Sequence, residues 1–250
     1  MTRLIVNADD YGLTPGVNAG ILEAHRQGIV TSTTLMVNMS AAEEAMRQAA
    51  DCPTLGVGIH LTLTAGHAVS NEVPSLVDRA GRFWNVRHLT QFARPDDIRR
   101  ELVCQMERFL SFGRMPTHID SHHHVHADPV VLPIILDLAR AYGLPVRNVP
   151  VSPGEPARGS ELTGVRHAAC LSTRFYGERA TFEVLVEELK AASAYESAEI
   201  MVHPAHADAA LISGSSYSHN RERELAVLTD PRLPDLLASW DIRLIHYGQL

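Results

Sequence analysis

The stretch LIVNADDYG at residues 4–12 decides the fold. Its first five residues are mostly apolar, and the run ends abruptly at the carboxylates of Asp9 and Asp10. A short apolar run without alternation is typical of a strand buried on both faces, as in a parallel sheet. We therefore predict a first strand over residues 4–8, with two acidic side chains at its carboxyl end.

A helix is predicted directly after this strand. Thr14 has the residue type of an N-cap, and Pro15 suits the first helical position. Apolar residues at 17, 21 and 24 give the helix one buried face, and Gly28 suits the position after its last turn. Strand and helix together form one βα unit.

The alternation of strands and helices continues along the whole chain. Further strands are predicted at residues 33–37, 55–63, the start of 117–126, 145–149, 199–203 and 242–246. Further helices are predicted at 41–50, 98–110, 129–143, after Thr181, and at 221–228 and 233–240. Long connections at 64–94, 150–180 and 207–220 interrupt the pattern, and we expect them to build the walls of a pocket.

Alternating βα units predict a parallel sheet in an α/β protein. No linker or internal repeat divides the chain, so we expect one domain over residues 1–250. The sequence lacks the glycine-rich turn of a dinucleotide-binding sheet. Polar residues instead follow the predicted strands, at the end where (β/α) barrels carry their active sites. We predict a distorted or incomplete (β/α) barrel, TIM-barrel-like, with about seven parallel strands.

Composition limits the class of protein. The net charge is −7 and no basic block is present, so a nucleic-acid partner is not expected. The cysteines, at 52, 104 and 170, form no C-x-x-C pair, so neither a disulfide framework nor a thiolate zinc site is predicted. No signal peptide or membrane-spanning run is recognisable, and we expect a cytoplasmic protein without a membrane partner.

The stretch THIDSHHHVH at residues 117–126 contains five of the fourteen histidines. Imidazole binds divalent metals and carries protons near neutral pH, so this stretch predicts a metal or catalytic site. The stretch is compatible with two different sets of metal ligands. As a strand, the stretch would place His118, Asp120 and His122 on one face. As a helix, it would place His122 and His126 together at i, i+4 spacing.

The pair Asp9 and Asp10 also indicates chemistry. Two adjacent carboxylates after a buried strand repel each other unless positive charge lies beside them. One carboxylate could bind a metal while the other transfers a proton, although a capping and a solvated aspartate would explain the pair too. His60 and His203, each near the end of a predicted strand, are weaker candidates when taken singly.

Five motifs in this order resemble the YdjC-like carbohydrate deacetylases: NADDYGL at 7–13, GIVTSTT at 28–34, GIH at 58–60, PTHIDSHHHVH at 116–126 and VHPA at 202–205. The resemblance implies a distorted (β/α) barrel, one divalent metal ion, a small carbohydrate substrate and a homodimer. One branch of the family removes acetyl groups from N-acetylglucosamine units of chitooligosaccharides. A hopanoid-associated branch shares the fold but departs from the DSHHH motif, which favours the sugar branch here.

The resemblance also implies residue roles. Asp10, His60 and His122 match the metal ligands, and Asp9 matches the general base. His203 is the candidate general acid: as an imidazolium it would stabilise the oxyanion or protonate the departing amine. The family implies magnesium, whereas a donor set with two imidazoles suits zinc or another transition metal better. The implied reaction is hydrolysis of an N-acetyl amide by a water that the metal activates.

Two rival functions remain at this stage. The first is a metal-dependent amidohydrolase that acts on a non-sugar amide, and the second is a sugar-binding barrel without turnover. The Asp9–Asp10 pair disfavours the second, because binding alone needs no second carboxylate. A sugar would also need an aromatic surface, for which Phe83, Trp84, Tyr176 and Tyr217 are candidates.

Overall fold

A computed structural model describes residues 1–148 and 162–250. Its single sheet contains seven strands in this part of the chain, and every pairing between them is parallel. The strands are β1 (Thr2–Tyr11), β2 (Ser32–Leu35), β3 (Gly56–Leu61), β4 (Ile119–Ser121), β5 (Cys170–Ser172), β6 (Ser197–Val202) and β7 (Ile242–Leu244). The order is β4-β3-β2-β1-β6-β5, with β7 also paired to β1. The predicted incomplete α/β barrel is confirmed.

Helices surround the sheet. They are α1 (Pro15–Gln27), α2 (Ala42–Ala49), α3 (Val86–Phe92), α4 (Pro95–Ser111), α5 (Val131–Tyr142), α6 (Phe182–Ala192), α7 (Ala209–Gly214), α8 (His219–Leu228) and α9 (Leu233–Ser239). The predicted start of α1 is confirmed: the Thr14 hydroxyl accepts a hydrogen bond from the Val17 amide, and Pro15 is the first helical residue. None of the described helices is both long and apolar enough to cross a bilayer.

Strand β1 lies at the centre of the sheet and is buried along nearly all of its length, as predicted. The prediction that it ends at residue 8 is wrong, because the strand continues to Tyr11. Its pairing with β2 is irregular between Ala8 and Tyr11, and Asp10 has a left-handed φ of 70°. The two carboxylates do not end the strand because each meets a buried arginine, as described below.

The histidine-rich stretch is neither a full strand nor an α-helix. After the short β4, residues 122–127 form a 3₁₀ turn in which His123 and His124 have left-handed backbone angles. His118 and His122 therefore do not share a strand face: His118 stacks on Tyr247 at 3.8 Å, away from the predicted site.

Two further strand predictions need correction. The segment predicted as a strand at 145–149 makes one parallel bridge, between Val146 and Ile119, and residue 149 lies outside the described residues. Strand β5 instead lies inside the predicted irregular region 150–180, whose residues 150–161 are also outside the described part. Its three half-buried residues are too few to give a periodic signal.

Candidate metal centre and active site

A cleft of about 820 Å³ opens at the carboxyl ends of the strands. Its size is that of a small-molecule site. All five residues predicted for the site line it: Asp9, Asp10, His60, His122 and His203. The polar ends of β1, β3, β4 and β6 therefore meet at one place, as the parallel sheet requires.

Asp10 lies between the two histidines predicted to bind metal with it. Its Oδ1 is 3.1 Å from His122 Nδ1 and 3.4 Å from His60 Nε2, and its Oδ2 accepts a hydrogen bond of 2.6 Å from Arg221. The candidate ligand atoms of Asp10, His60 and His122 all lie within 4.8 Å of one another. Although burial opposes ionisation, Arg221 and His122 hold the pKa of Asp10 well below its usual range.

His60 is oriented by a second carboxylate. Its Nδ1 lies 2.6 Å from Asp120 Oδ1, which leaves Nε2 directed toward Asp10. A carboxylate on the far nitrogen is the common support for a histidine that binds a metal. Burial disfavours the charged imidazole, yet Asp120 and Asp10 raise the pKa of His60 to about 10. The two carboxylates that stabilise a proton on this ring would equally stabilise a cation bound at Nε2, for which the imidazole must be neutral.

This donor set fits a divalent metal. Two imidazole nitrogens and one carboxylate oxygen at the edge of a cleft leave other coordination positions for water and substrate. The alternative pairing of His122 with His126 is not supported by the geometry. The 3₁₀ turn directs His126 elsewhere, with its Nδ1 beside the Ser121 hydroxyl and its ring fully buried.

Asp9 has a different arginine partner from Asp10. Arg147 donates to both of its carboxylate oxygens, at 2.7 and 2.6 Å, and Asn7 donates at 2.9 Å. Arg147 is fully buried and also pairs with Asp120 at 3.0 Å and Glu199 at 2.7 Å. Burial alone would raise the pKa of Asp9, but Arg147 lowers it, so the carboxylate is ionised at neutral pH.

The buried arginines are the site residues that sequence reasoning missed. Arg147 follows the apolar run LPV at 144–146, and a lone arginine inside a strand-like segment is a signal that could have been used. Arg221 gives no such signal, because it lies in the charged stretch NRERE at 220–224, which is typical of a solvated helix face.

His203 lies beside Asp9 on the other side of the cleft. Its Nε2 is 4.0 Å from Asp9 Oδ2, and the rings of Tyr176 and Tyr217 meet it edge-on at 5.5 and 5.8 Å. Burial lowers the pKa of His203 to about 4, so the resting imidazole is neutral. This differs from the predicted imidazolium, and a proton must reach His203 during any reaction in which it acts as an acid.

His123 lies next to the candidate ligand His122. Its ring packs on His122 with centroids 3.9 Å apart, and its Nδ1 is 3.0 Å from the Thr64 hydroxyl. It lines the cleft, but it belongs to neither of the two groups of residues whose ligand atoms could meet at one ion, Asp10–His60–His122 and Asp9–His60–Asp120.

The fold and the site define an incomplete α/β barrel with an aspartate and two histidines arranged to hold a cation. The model of the YdjC-like protein family matches residues 3–239, and the chain belongs to this family.

Two relatives are similar over almost their whole length. A carbohydrate deacetylase of Brevibacillus brevis is 46% identical over 248 residues, covering 99% of each chain. A carbohydrate deacetylase of Geobacillus stearothermophilus is 48% identical over 245 residues, covering 98% of this chain and 96% of its own. A crystal structure from Enterococcus faecalis, described as a putative cellobiose-phosphate cleavage protein, has a TM-score of 0.94 and 36% identity. It covers 99% of this chain and 98% of its own.

Proposed function

We propose that this protein is a metal-dependent hydrolase that removes N-acetyl groups from acetylated amino sugars. Its proposed substrates are oligosaccharides that contain N-acetylglucosamine, such as chitooligosaccharides. The observation that carries the proposal is a second ionised carboxylate, that of Asp9, beside the Asp10–His60–His122 cluster but with partners of its own. The two full-length relatives named carbohydrate deacetylases support the reaction class.

Asp10, His60 and His122 would hold one divalent ion. Such an ion polarises an amide carbonyl and lowers the pKa of a bound water. The family resemblance favours magnesium, and the two imidazole donors favour zinc or another transition metal. Proton transfer and substrate binding are carried out by the chain's own side chains.

Asp9 accepts a proton from the attacking water in this proposal. Its low pKa keeps it ionised, and the two hydrogen bonds from Arg147 fix the position of both oxygens. His203 directs Nε2 toward Asp9, at 4.0 Å from Oδ2, and its proposed role is to protonate the nitrogen that leaves when the amide C–N bond breaks. A barrel that only bound sugar would have no use for these two groups beside the cation site.

The cleft offers an aromatic surface for a pyranose ring. Tyr176 and Tyr217 both line it and stack on each other, with centroids 4.1 Å apart and planes inclined by 16°. Tyr176 is 44% exposed, whereas Tyr217 also has the Arg221 guanidinium 5.4 Å over its ring. Phe83 and Trp84, the other two candidates, do not line this cleft. The sugar is proposed to stack on Tyr176.

Replacing Tyr176 with alanine is expected to raise KM for an N-acetylglucosamine oligosaccharide about tenfold, or about 1.4 kcal/mol, with a smaller change in kcat. Steady-state acetate release measures both constants. Tyr195→Ala is the matched control, because Tyr195 is 46% exposed but precedes β6 at the opposite end of the sheet. An unchanged KM in Tyr176→Ala would remove the ring from the sugar-binding surface.

The proposed function is tested by acetate release from a panel of acetylated amino sugars and simple acetanilides. Oligosaccharides with N-acetylglucosamine should react, and acetanilides should be slow. Equal rates on both would point to an amidohydrolase of wider specificity. Binding of the sugars without acetate release would point to a binding barrel.

We further propose that the protein acts in the cytoplasm as a homodimer of single-domain chains, with a small carbohydrate as its partner rather than nucleic acid or a membrane. These proposals rest on the family resemblance and on the composition.

A further inference from the structure

Helix α8 looks solvated from its sequence, HNRERELAVL, yet it buries two charged side chains. Arg221 is 4% exposed and Glu224 is fully buried, and they lie three residues apart on the same face of the helix. Arg221 holds Asp10. Glu224 has no part in the chemistry described so far. A fully buried glutamate is costly unless its contacts compensate for the lost hydration.

The contacts of Glu224 are with the residues around His203. Its Oε2 accepts a hydrogen bond from the His203 backbone amide, and its Oε1 accepts one from the Tyr217 hydroxyl. The same Oε1 is 4.0 Å from His203 Nδ1, and this buried nitrogen has no hydrogen-bond partner among the described residues. On the opposite side of the ring, Nε2 is 4.0 Å from Asp9 Oδ2. The imidazole therefore lies between two carboxylates.

We propose that Glu224 is a positioning residue that fixes the His203 imidazole for proton delivery to the leaving amine. Glu224 accepts the Nδ1 proton, so that Nε2 faces Asp9 and the reacting amide. The role rests on the proposed function, in which His203 is the acid. A distance of 4.0 Å is longer than a hydrogen bond, and catalytic contacts that are long in the free enzyme commonly tighten when substrate binds.

Every proton in this step is accounted for. The attacking water gives one proton to Asp9 as the new C–O bond forms. That proton passes to His203 Nε2, and from there to the amine nitrogen as the C–N bond breaks. While His203 carries it, the imidazolium has the Glu224 carboxylate at Nδ1 to stabilise its charge. Nothing beyond water and the amide is consumed.

The proton-binding properties of Glu224 are compatible with this role. Burial raises the pKa of Glu224 to about 7, against the hydrogen bonds from Tyr217 and the His203 amide and the charge of Arg221, which lower it. A carboxyl with this pKa is available in ionised form near neutral pH to meet an imidazolium.

The variant Glu224→Gln separates positioning from structural support. Glutamine has the same shape. With its carbonyl oxygen still accepting from the His203 amide, its NH2 lies at the Oε1 position, where it cannot accept the Nδ1 proton. Hydrolysis of an N-acetyl sugar needs a proton on the leaving nitrogen, whereas 4-nitrophenyl acetate has a leaving group that needs none. Glu224→Gln should lower kcat on the sugar about 10²-fold and leave activity on the ester nearly unchanged. Glu222→Gln, an exposed residue of the same helix, should change neither.

Tyr217→Phe tests the structural explanation directly. If Glu224 serves only to hold Tyr217, removing the hydroxyl should reproduce the effect of Glu224→Gln on both substrates. In our proposal, Tyr217→Phe keeps the His203 tautomer of the wild type, because the carboxylate still faces His203, and Glu224→Gln does not.

A spectroscopic measurement tests, without relying on activity, whether Glu224 contacts His203 Nδ1. The ¹⁵N chemical shifts of the histidine side chains, assigned for His203 with a His203→Gln variant, should show a proton fixed on Nδ1 in the wild type. They should show a change of tautomer population in Glu224→Gln alone. Unchanged His203 shifts in Glu224→Gln, or equal losses on sugar and ester, would overturn the proposal. A wild type that deacetylates no amino sugar would instead overturn the proposed function, and the ¹⁵N result would still decide the contact.

Discussion

Replacing Asp9 with asparagine should lower kcat by about 10²–10⁴-fold, equivalent to about 3–5 kcal/mol, while the metal ion stays bound. Asparagine keeps the size of the side chain but cannot accept the proton of the attacking water. The metal should remain, because Asp9 and Asp10 have separate partners: Arg147 holds the first and Arg221 holds the second.

The buried Arg147 makes a stability measurement necessary in this experiment, because Asp9→Asn removes one of its charged partners. Arg147 keeps Asp120 and Glu199 as partners in the variant, so the fold should survive with some loss of stability. Metal content, kcat and the thermal unfolding midpoint should be measured for Asp9→Asn and Asp10→Asn across a metal titration. Asp10→Asn should lose metal first, and excess metal should partly restore its activity. An Asp9→Asn enzyme that keeps nearly full activity with metal bound would show that Asp9 is not the base.

Replacing His60 with alanine should remove the metal and the activity together. His60 Nε2 is one of three clustered candidate ligand atoms, and Asp120 fixes its direction through Nδ1. Without the ring, Asp10 and His122 alone offer one oxygen and one nitrogen, which is too few for a stable protein site. Elemental analysis of the purified variant, together with acetate release, measures both effects.

Two other histidines of the chain provide controls. His123→Ala should keep metal and most activity, since His123 is in neither group of candidate ligand atoms. His126→Ala should also keep metal, although loss of a fully buried ring should lower the unfolding midpoint. Full metal occupancy in His60→Ala would exclude His60 as a ligand. Loss of metal in His126→Ala but not in His60→Ala would show that the i, i+4 pair is the true ligand set.

The architecture could be predicted from the sequence because short local sequence patterns identify its strands and helices. The apolar run before Asp9 identified the central strand, and Thr14 and Pro15 identified the start of α1. Polar residues at several strand ends identified the face that carries the cleft, because parallel strands bring their carboxyl ends together.

The pairings within the charge network could not be predicted, because the partners are far apart in sequence. Arg147 is 138 positions from Asp9, and Arg221 is 211 positions from Asp10. No periodicity links such residues, and an arginine in a charged helix has the same local pattern whether it faces solvent or a buried carboxylate. The same limit explains the charge of His203: its type and position were predicted, but burial, which lowers its pKa to about 4, depends on the packed fold.

The central claim is that the Asp10–His60–His122 cluster holds one ion that deacetylation requires. The most direct measurement is acetate release from an N-acetylglucosamine oligosaccharide by the protein after chelation and after reloading with a single divalent metal, with the metal content determined in parallel. Our account predicts no acetate release from the metal-free protein and full recovery when one ion per chain is bound. Undiminished acetate release from a protein shown to be free of metal would contradict it.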